Sequence, residues 1–549
     1  MYFVLKKLCE EIENETKILI YGAGHYAIEI YKKFCVIGWK DRIKKFVVTS
    51  IGKQSEYIEG IPVVEFDRRI LDEDKYIILV AVGKDYAEEI KCILSGISPG
   101  SVFYLWDYAG FMDKKKEALL NSSFDILCNN ALDEYIWRNP QYLNDKRKLV
   151  ENLDELQQKH NNLQVKDKSI VYIMEEETAR DIKIIRALIE SGYEVDVLQY
   201  ALRVRYAAEK ELLNLDIVPE RFTCVWEFIV KSLNYRPNLY FFDVETTFDY
   251  VFLAIHYREI WGRVVIAPYE TFIGSFVNIS EEIFEKEKFC LENADAVVWR
   301  YFSKEYLENK MGYRFKGESV HLLDNCGGYE LSNRFNECSN GKLRLCCVVS
   351  QIECFLCEDS SSYTRQAKFT DILEKVGGSC ELDIYAWCAS TEEEEQLAQM
   401  KKKYKNFNFF YKVEHKDLIH RLSAYDYGLC IYTNEEIPTY PIGAEIVSRG
   451  TLTCTEGTYR HSVANRYFDY IDAELPIITT LPEKLCEYLQ QYDVIIRMNI
   501  GNLDVDYLKR NREYYKKKAK IAKKELLMSK HINILTDMFE RINSKKDTF

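Results

Sequence analysis

The sequence predicts an α/β protein made of several doubly wound parallel sheets. Two observations support this fold class. Short apolar stretches alternate with amphipathic stretches of helical period along most of the chain. A glycine turn, Gly22-Ala23-Gly24, directly follows the first apolar stretch, KILIY. Alternating strands and helices indicate βα units, whose strands pair in parallel.

The first alternating region predicts a small Rossmann-like domain at residues 1–110. Strands are expected in KILIY, IKKFVVTS, YIILVAVG and SVFYLWD, and helices in HYAIEIYKKFCVIG and YAEEIKCILSGI. Residues 111–165 have a helical pattern without a strand pattern, so a helical linker is expected there.

Two further domains are expected at residues 166–335 and 336–515. Strands are expected in KSIVYIM, EVDVLQY, PNLYFFDV, RVVIAPYE, ADAVVWR and SVHLLDN, and then in KLRLCCVVS, ELDIYAWC, FNFFYKV, YGLCIYT and IIT. Helices separate them, with one continuous helix over FDYVFLAIHYREIWG. One or two charged helices are expected over residues 505–545, and residues 516–549 are assigned to a C-terminal helix. Two doubly wound halves joined near residue 335 predict a ligand cleft at the carboxyl ends of their strands.

The composition is that of a globular protein with several domains. Of the 549 residues, 47% are hydrophobic and 14% aromatic, and a domain takes about 150 residues, so three or four domains are expected. The net charge of −13 disfavours nonspecific binding to nucleic acid, because phosphate contacts need a basic face.

A cytoplasmic location is expected. Acidic residues come too early for a signal peptide, and no apolar run reaches the ~18 residues of a membrane span. The 17 scattered cysteines are typical of reduced thiols.

Cys346 and Cys347 are neighbours in a strand-like run and would point to opposite faces, so buried thiols are favoured over a metal site with Cys354 and Cys357.

Gly22 and Gly24 are candidates for a nucleotide-binding turn. Glycines after a strand let the backbone approach a phosphate at the N-terminus of the next helix. The second strand ends in VVTS, without the acidic residue that holds a ribose hydroxyl in NAD-binding proteins, so NAD is disfavoured and no cofactor is expected. A tight turn without a ligand is the other interpretation of these glycines.

The N-terminal stretch resembles the small Rossmann-like domain of bacterial polysaccharide-biosynthesis proteins, including sugar-nucleotide acetyltransferases. The likeness lies in LIYGAGHYAIEIY, EGIPVV and YIILVAVG. The resemblance implies a nucleotide sugar as the ligand of this domain.

Residues 166–515 resemble the retaining GT-B glycosyltransferases of the family 4-like group, also called group 1. The likeness lies in ENADAVVWRYFSKEYLENKMG, HLLDNCGGYE, VEHKDLIHRLSAYDYGLCIY and NRYFDYIDAELPIIT. The last stretch is similar to the family's Asn-Lys-x-x-Glu signature followed by Pro. The resemblance implies a GT-B architecture of two Rossmann-like domains, preceded here by the separate N-terminal domain and linker.

The resemblance implies a donor site at Asn465, Arg466 and Asp469. In the family, a carboxylate on this helix accepts hydrogen bonds from the ribose hydroxyls of the nucleotide, and Asp469 occupies its position. Arg466 occupies the Lys position, and Asn465 precedes it. The amides at the N-terminus of the helix would face the diphosphate.

The catalytic candidates are Glu270, Arg365 and Arg460. Glu270 follows Tyr269 where the family has a His-Glu pair, and Arg365 is the candidate cation for the leaving diphosphate, with Arg460 as the substitute. No metal motif stands out, so metal-independent hexosyl transfer is expected. The family's glycine loop after IVYIM is replaced by EEETARD, and Asp469 is shorter than the usual Glu.

The sequence thus predicts a glycosyltransferase that moves a sugar from a nucleotide sugar to a glycan or lipid-linked acceptor in bacterial surface polysaccharide biosynthesis. A catalytically weakened nucleotide-sugar-binding or scaffold protein is the alternative, and activity in the N-terminal domain is a third hypothesis.

The stretch YYKKKAKIAKKELL fits either contact with anionic lipid at the inner face of the membrane or a solvated helix face. His415 and His420, near a predicted helix start, are expected in surface or packing roles.

Overall fold

The computed structural model of the chain describes residues 16–24, 27–28, 30–31, 34, 39–50, 56–58, 60–72, 76–82, 86–97, 101–104, 123–139, 142, 145–175, 178–200, 209–244, 248–268, 281–300, 304–331, 341–351, 372–374, 377–388, 391–411, 413–431, 465–480, 487–498 and 503–544. The chain forms two compact units, residues 1–163 with 224–234 and residues 164–223 with 235–549. Among the described residues, none of the helices has the length and apolar character needed to cross a membrane.

The strands and helices follow one another in βα order. The strands are β1 Lys17–Tyr21, β2 Ile43–Val48, β3 Tyr57–Ile58, β4 Ile61–Glu65, β5 Tyr76–Val80, β6 Val102–Tyr104, β7 Ser169–Met174, β8 Glu194–Tyr200, β9 Glu220–Phe222, β10 Leu239–Val244, β11 Val264–Pro268, β12 Ala296–Trp299, β13 Glu318–His321, β14 Leu343–Gln351, β15 Cys380–Cys388, β16 Phe407–Tyr411, β17 Tyr427–Cys430, β18 Ile477–Thr479 and β19 Ile495–Arg497. The helices are α1 Ala87–Ile93, α2 Phe124–Arg138, α3 Lys146–Asn162, α4 Ala179–Glu190, α5 Glu209–Leu213, α6 Val225–Ser232, α7 Phe248–His256, α8 Arg258–Trp261, α9 Glu281–Asn293, α10 Lys304–Met311, α11 Thr391–Lys403, α12 His415–Leu422, α13 Arg466–Asp472, α14 Glu487–Gln490, α15 Val505–Glu525, α16 Met528–His531 and α17 Asn533–Ser544.

The first unit contains a six-stranded sheet of order β3-β4-β2-β1-β5-β6. Its strands pair in parallel except for the β3–β4 pair. Ile18 and Ile20 of β1 pack into one buried cluster, and Leu19 and Tyr21 pack into another. The sheet is therefore covered on both faces, as parallel sheets generally are. Helices α2, α3 and α6 also belong to this unit.

The second unit contains two parallel sheets, one in each half. The first half has the order β13-β12-β11-β10-β7-β8-β9, and the second half has β16-β15-β14-β17-β18-β19. All six residues of β7 and of β10 are buried, which is typical of central strands covered by helices on both faces. In β14, Cys346 and Cys347 are buried in two different clusters, which confirms that they point to opposite faces.

The chain crosses between the two halves twice, and the two crossovers pair with each other. Cys326, after β13, donates its amide N–H to the Leu526 carbonyl (2.7 Å) and accepts from the Met528 amide (2.9 Å). Helix α17 then packs on the first half, where its buried side chains belong to that half's main core cluster. The end of the chain is therefore part of the core of the first half.

The predicted fold class is confirmed. The second unit has two Rossmann-like sheets, and the N-terminal sheet is a separate Rossmann-like sheet. The predicted single helix over residues 248–262 is wrong, because Tyr257 leaves the helical region (φ −112°, ψ 53°) and separates α7 from α8. Three helices, α15 to α17, occupy the region where one or two were expected.

Candidate functional site

A cluster of charged side chains lies where the carboxyl ends of the two parallel sheets of the second unit meet. Lys183 is on α4, which follows the carboxyl end of β7, and His415 is the first residue of α12, which follows β16. Asp469 is in the first turn of α13. Ligands of open α/β sheets bind at this edge.

The Asp469 carboxylate joins the two halves. Its Oδ1 atom lies 3.0 Å from His415 Nε2 and 3.5 Å from Lys183 Nζ. Burial of Asp469 would raise the pKa of its carboxyl group, but the charges of Lys183 and His415 outweigh burial and lower this pKa below the ordinary value. Asp469 is therefore ionised at neutral pH.

His415 contacts acceptors through both of its ring nitrogens. Nε2 faces the Asp469 carboxylate, and Nδ1 lies 3.2 Å from the Tyr329 hydroxyl. That hydroxyl donates to Glu211 Oε2 (2.5 Å), so its lone pairs face His415. Burial would lower the pKa of His415, but Asp469 and Glu211 raise it to about 9.

Lys183 is fully enclosed between the two halves. Its ammonium group donates to the Asn325 carbonyl (3.1 Å) besides its contact with Asp469. Burial would lower the pKa of Lys183, but Asp469 and Asp472 raise it above the ordinary value. Asn325 has a positive φ of 45°, which turns the first crossover so that its carbonyl meets this lysine.

One turn further along α13, Asp472 binds the first crossover. Its carboxylate accepts from the amides of Gly327 (2.6 Å) and Gly328 (3.1 Å) and lies 3.6 Å from Lys523 Nζ. A Cβ atom on Gly327 would lie 3.2 Å from the Asp472 carboxylate and 2.6 Å from the Tyr329 ring. Helix α13 thus carries two buried carboxylates, and Asp472 is the one that fixes the backbone.

A second buried ionic cluster supports the first crossover from the first half. Arg180 of α4 pairs with Asp243 at the end of β10 (2.8 Å) and with Asp324 after β13 (3.2 Å), and Arg300 also pairs with Asp324. Burial and the neighbouring Asp181 raise the pKa of Asp243 well above its usual range, against the opposing effect of Arg180. These contacts position Asp324, and with it Asn325, beside Lys183.

A cavity of about 330 Å³ adjoins the charged cluster next to the two crossovers. It is lined by Lys183, Arg186, Ala187, Glu190, Gly327, Gly328, Glu474, Lys523, Lys524, Leu527, Met528 and Ser529. Three of its four basic side chains are paired with carboxylates: Lys183 with Asp469, Arg186 with Glu211 and Lys523 with Asp472. Lys524 and two glutamates, Glu190 and Glu474, also line the cavity, so its charge balance does not favour an anion.

The predicted donor residues are placed differently from one another. Asp469 lies in the charged cluster, whereas Arg466 lies beside Cys347 of β14, where its charge acts to lower the pKa of the thiol against the larger effect of burial. The Asn465 carbonyl accepts from the amides of Phe468 (2.9 Å) and Asp469 (3.3 Å) at the start of α13. The catalytic candidates Glu270, Arg365 and Arg460 lie outside the described residues.

The glycines of the N-terminal turn have different surroundings. Gly22 has φ 122°, and a Cβ atom there would lie 2.8 Å from the Ala81 carbonyl oxygen. A Cβ atom on Gly24 would meet nothing within 4 Å. The turn passes close to the end of β5, which explains why residue 22 is a glycine without invoking a ligand. Packing does not require a glycine at position 24.

Sequence reasoning missed Lys183, Glu211 and Tyr329, and it did not predict the ion pair of His415. His415 was expected in a surface or packing role, and its side chain is 11% exposed and also pairs with Asp469. The available signal was its position at the start of a helix after a strand, which puts its side chain at the carboxyl edge of the sheet.

No known family profile and no curated protein matches the chain. Solved structures do: a glycosyltransferase from Rickettsia africae ESF-5 has 11% identity and TM-score 0.47, covering 69% of this chain and 100% of its own. Sucrose-phosphate synthase from Thermosynechococcus elongatus has 12% identity and TM-score 0.44, covering 68% and 98%. S. aureus MnaA, solved with UDP, has 11% identity and TM-score 0.40, covering 69% and 98%.

The structural neighbours of the chain thus include a glycosyltransferase and a sucrose-phosphate synthase. At these identities and scores the likeness concerns the fold alone, and no residue role is taken from it.

Proposed function

We propose that the second unit is a glycosyltransferase that takes its sugar from a nucleotide sugar. The observation that carries the proposal is the position of Asp469: an ionised carboxylate in the first turn of α13, at the meeting of the carboxyl edges of two Rossmann-like halves. Nucleotides bind at such edges, with their hydroxyls donating to a carboxylate.

Asp469 would accept the ribose hydroxyls through Oδ2. Both of its described ion pairs, with Lys183 and His415, are made by Oδ1. These cations hold the side chain ionised and in one orientation, which suits an acceptor of hydrogen bonds from a diol. The diphosphate next to the ribose would lie near the N-terminus of α13, where backbone amides favour an anion.

Glycosyl transfer requires stabilisation of the leaving diphosphate. Arg365 and Arg460 remain the predicted cations for this task, and Glu270 remains the predicted catalytic carboxylate. In this proposal they act without a metal, in a retaining transfer of a hexosyl group to a glycan or lipid-linked acceptor of a bacterial surface polysaccharide. The reaction takes place in the cytoplasm or at the inner face of the membrane.

Helix α15 supports the proposal of a membrane-bound acceptor. It carries nine Lys and Arg residues against three Asp and Glu residues, although the whole chain is acidic. Tyr514 and Ile521 are 49% and 48% exposed and lie seven residues, or about two helical turns, apart on the same side as Lys517 and Lys524. A basic helix with exposed apolar side chains suits contact with anionic lipid headgroups.

The proposed donor site is tested by the change Asp469→Asn. The variant keeps the shape of the side chain but weakens the charge-assisted hydrogen bonds with the ribose. Each such bond contributes about 1.5–3 kcal/mol, so the affinity for a bound nucleotide sugar should fall roughly tenfold to a hundredfold. Titration calorimetry with UDP-glucose, GDP-mannose and ADP-glucose measures this, and release of the nucleoside diphosphate measures turnover.

Asp472→Asn is the matched control. It removes the charge of a second buried carboxylate of the same helix, but that carboxylate binds the crossover amides and Lys523. The control should lower stability and leave the affinity of the folded protein unchanged. Equal affinities of the wild type and Asp469→Asn would refute the donor site.

One observation favours the alternative of a protein that binds nucleotide sugars but transfers no sugar. The N-terminus of α4 is closed by the chain itself: Thr178 accepts from the Asp181 amide, and Asp181 Oδ2 accepts from the Thr178 amide (3.0 Å) and hydroxyl (2.6 Å). This capping box satisfies donors that a glycine loop would leave open for an anion. Binding without turnover on any acceptor would support this alternative, and detectable transfer would exclude it.

A further inference from the structure

His415 is the centre of the contacts that link the two halves of the second unit. It contacts Asp469 of α13 through Nε2, and through Nδ1 it contacts Tyr329 (3.2 Å) and approaches Glu211 Oε1 of α5 (3.8 Å). Glu211 is in the first half, and His415 and Asp469 are in the second. A single imidazole ring therefore links carboxylates of both halves.

The geometry requires both ring nitrogens to donate. An ionised carboxylate accepts hydrogen bonds and cannot donate one, so Nε2 must carry a proton toward Asp469. The Tyr329 hydroxyl gives its proton to Glu211, so Nδ1 must also carry a proton to make its hydrogen bond with Tyr329. A ring with protons on both nitrogens is an imidazolium.

We propose that His415, as an imidazolium, is the positioning residue for Asp469 and ties that carboxylate to the first half through Tyr329 and Glu211. The positioning role rests on the proposed donor site, whereas the bridge between the halves does not. His415 itself forms no contact with the reacting groups in this proposal.

The surroundings of His415 favour its positive charge. The carboxylates of Asp469 and Glu211 face it from α13 and α5, and the Tyr329 ring packs on it edge to face at 5.5 Å. Lys183 of α4 opposes the charge, and Arg186 is separated from it by Tyr329 and Glu211. Two carboxylates against one nearby cation hold the pKa of His415 at about 9.

The sign of the pH dependence follows from this raised pKa. The bridge contributes its full stabilisation below the ordinary histidine pKa of about 6.5, loses it progressively above that pH, and contributes nothing above pH about 9. The difference between these two pKa values corresponds to a change of roughly three-hundredfold in the local opening equilibrium.

The bridge is tested by hydrogen exchange of α12 and α13 in the full chain, compared between the wild type and His415→Gln from pH 6.5 to 9.5. After correction for intrinsic exchange rates, the wild type should lose protection as the pH rises, and His415→Gln should be less protected at pH 6.5 and nearly independent of pH. His420→Gln, on the same helix, is the control and should behave as the wild type does. A wild-type profile that runs parallel to that of His415→Gln would overturn the bridge.

The positioning role is tested by titrating UDP-glucose, GDP-mannose and ADP-glucose into the wild type, His415→Gln, Asp469→Asn and the double variant at pH 7. His415→Gln should weaken binding roughly tenfold, and the double variant should bind no worse than Asp469→Asn, because both changes act through the same carboxylate. Wild-type affinity in His415→Gln would overturn the positioning role while leaving the donor site intact. If none of the three nucleotide sugars binds the wild type, the donor site and the positioning role fall together, and the hydrogen-exchange result still decides the bridge.

Discussion

At the scale of single residues, Gly22 and Gly24 differ in what they do. The turn requires a glycine at position 22 for structural reasons, whereas Gly24 remains a candidate for ligand binding. Gly22→Ala should destabilise the N-terminal sheet by about 1–3 kcal/mol, because alanine is strained at φ 122° and its Cβ atom would collide with Ala81. Hydrogen exchange of β1 and β5 in the full chain measures this change.

Gly24→Ala is the matched control for that prediction, since a Cβ atom at this position meets nothing within 4 Å. It should leave exchange of β1 unchanged. Equal protection of the two variants would contradict the packing explanation of Gly22. A loss of nucleotide-sugar binding in Gly24→Ala alone would instead support a ligand at this turn.

Among the site residues, only those within a local pattern could be predicted from the sequence. The position of Asp469 follows from its own helix and the strand after it. Its partners are distant in sequence: His415 is 54 residues away, and Lys183 is 286 residues away. A local sequence pattern does not predict that Asp469 pairs with these two residues, because the pairing depends on how the two halves pack. The opposite faces of Cys346 and Cys347 could be predicted, since alternation along a strand is local.

At the scale of elements, the central strands were predictable, and two of the short edge strands were not. Strands β7 and β10 are continuous apolar runs in the middle of their sheet, where both faces are covered. Strands β9 and β19 have three residues each and lie at sheet edges. Three residues are too few to show a period, so only pairing with the neighbouring strand defines them.

Helix α6 was missed for a related reason. Its sequence, VWEFIVKS, is short and rich in aromatic and β-branched residues, a composition that does not distinguish a helix from a strand. Its buried residue Trp226 packs near Tyr135 of α2, at 6.4 Å between ring centroids. Tertiary packing in the first unit, rather than local propensity, therefore explains this helix.

The basic face of α15 makes a prediction at the same scale. Reversing three exposed charges with Lys517→Glu, Lys520→Glu and Lys524→Glu should weaken binding to vesicles that contain anionic lipid. A lysine near such a surface contributes roughly 1 kcal/mol, so the partition coefficient should fall about a hundredfold or more. Sedimentation with phosphatidylcholine vesicles, with and without phosphatidylglycerol, measures the effect.

The control for this charge reversal is a similar set of changes in α11, where Lys401, Lys402 and Lys403 are exposed. It changes the net charge of the chain by the same amount at a different place. Similar losses in both variants would show that the net charge, and not the α15 face, governs the interaction. No binding of the wild type to anionic vesicles would refute the contact with lipid.

At the scale of the whole molecule, the two halves of the second unit are joined by three separate sets of contacts. The crossover backbones pair at Cys326 and Leu527, Asp472 holds the first crossover, and the cluster around Asp469 joins the carboxyl edges. The fold class was predictable because each half repeats the βα pattern. The return of α17 to the first half was not, because an amphipathic helix does not indicate which apolar surface it covers.

That return makes the first half depend on the last helix of the chain. Phe539 of α17 is fully buried and packs edge to face on Tyr193 (5.8 Å) and Phe241 (6.3 Å) of the first half. Phe539→Ala should destabilise this half by about 3–5 kcal/mol, because it removes a large buried ring and leaves a cavity. Hydrogen exchange should accelerate in β10 and β12, hundreds of residues earlier in the sequence, while Glu540→Ala, at the neighbouring exposed position, should leave both strands unchanged. Faster exchange confined to α17 would mean that the helix only covers the first half and is not needed for the stability of its core.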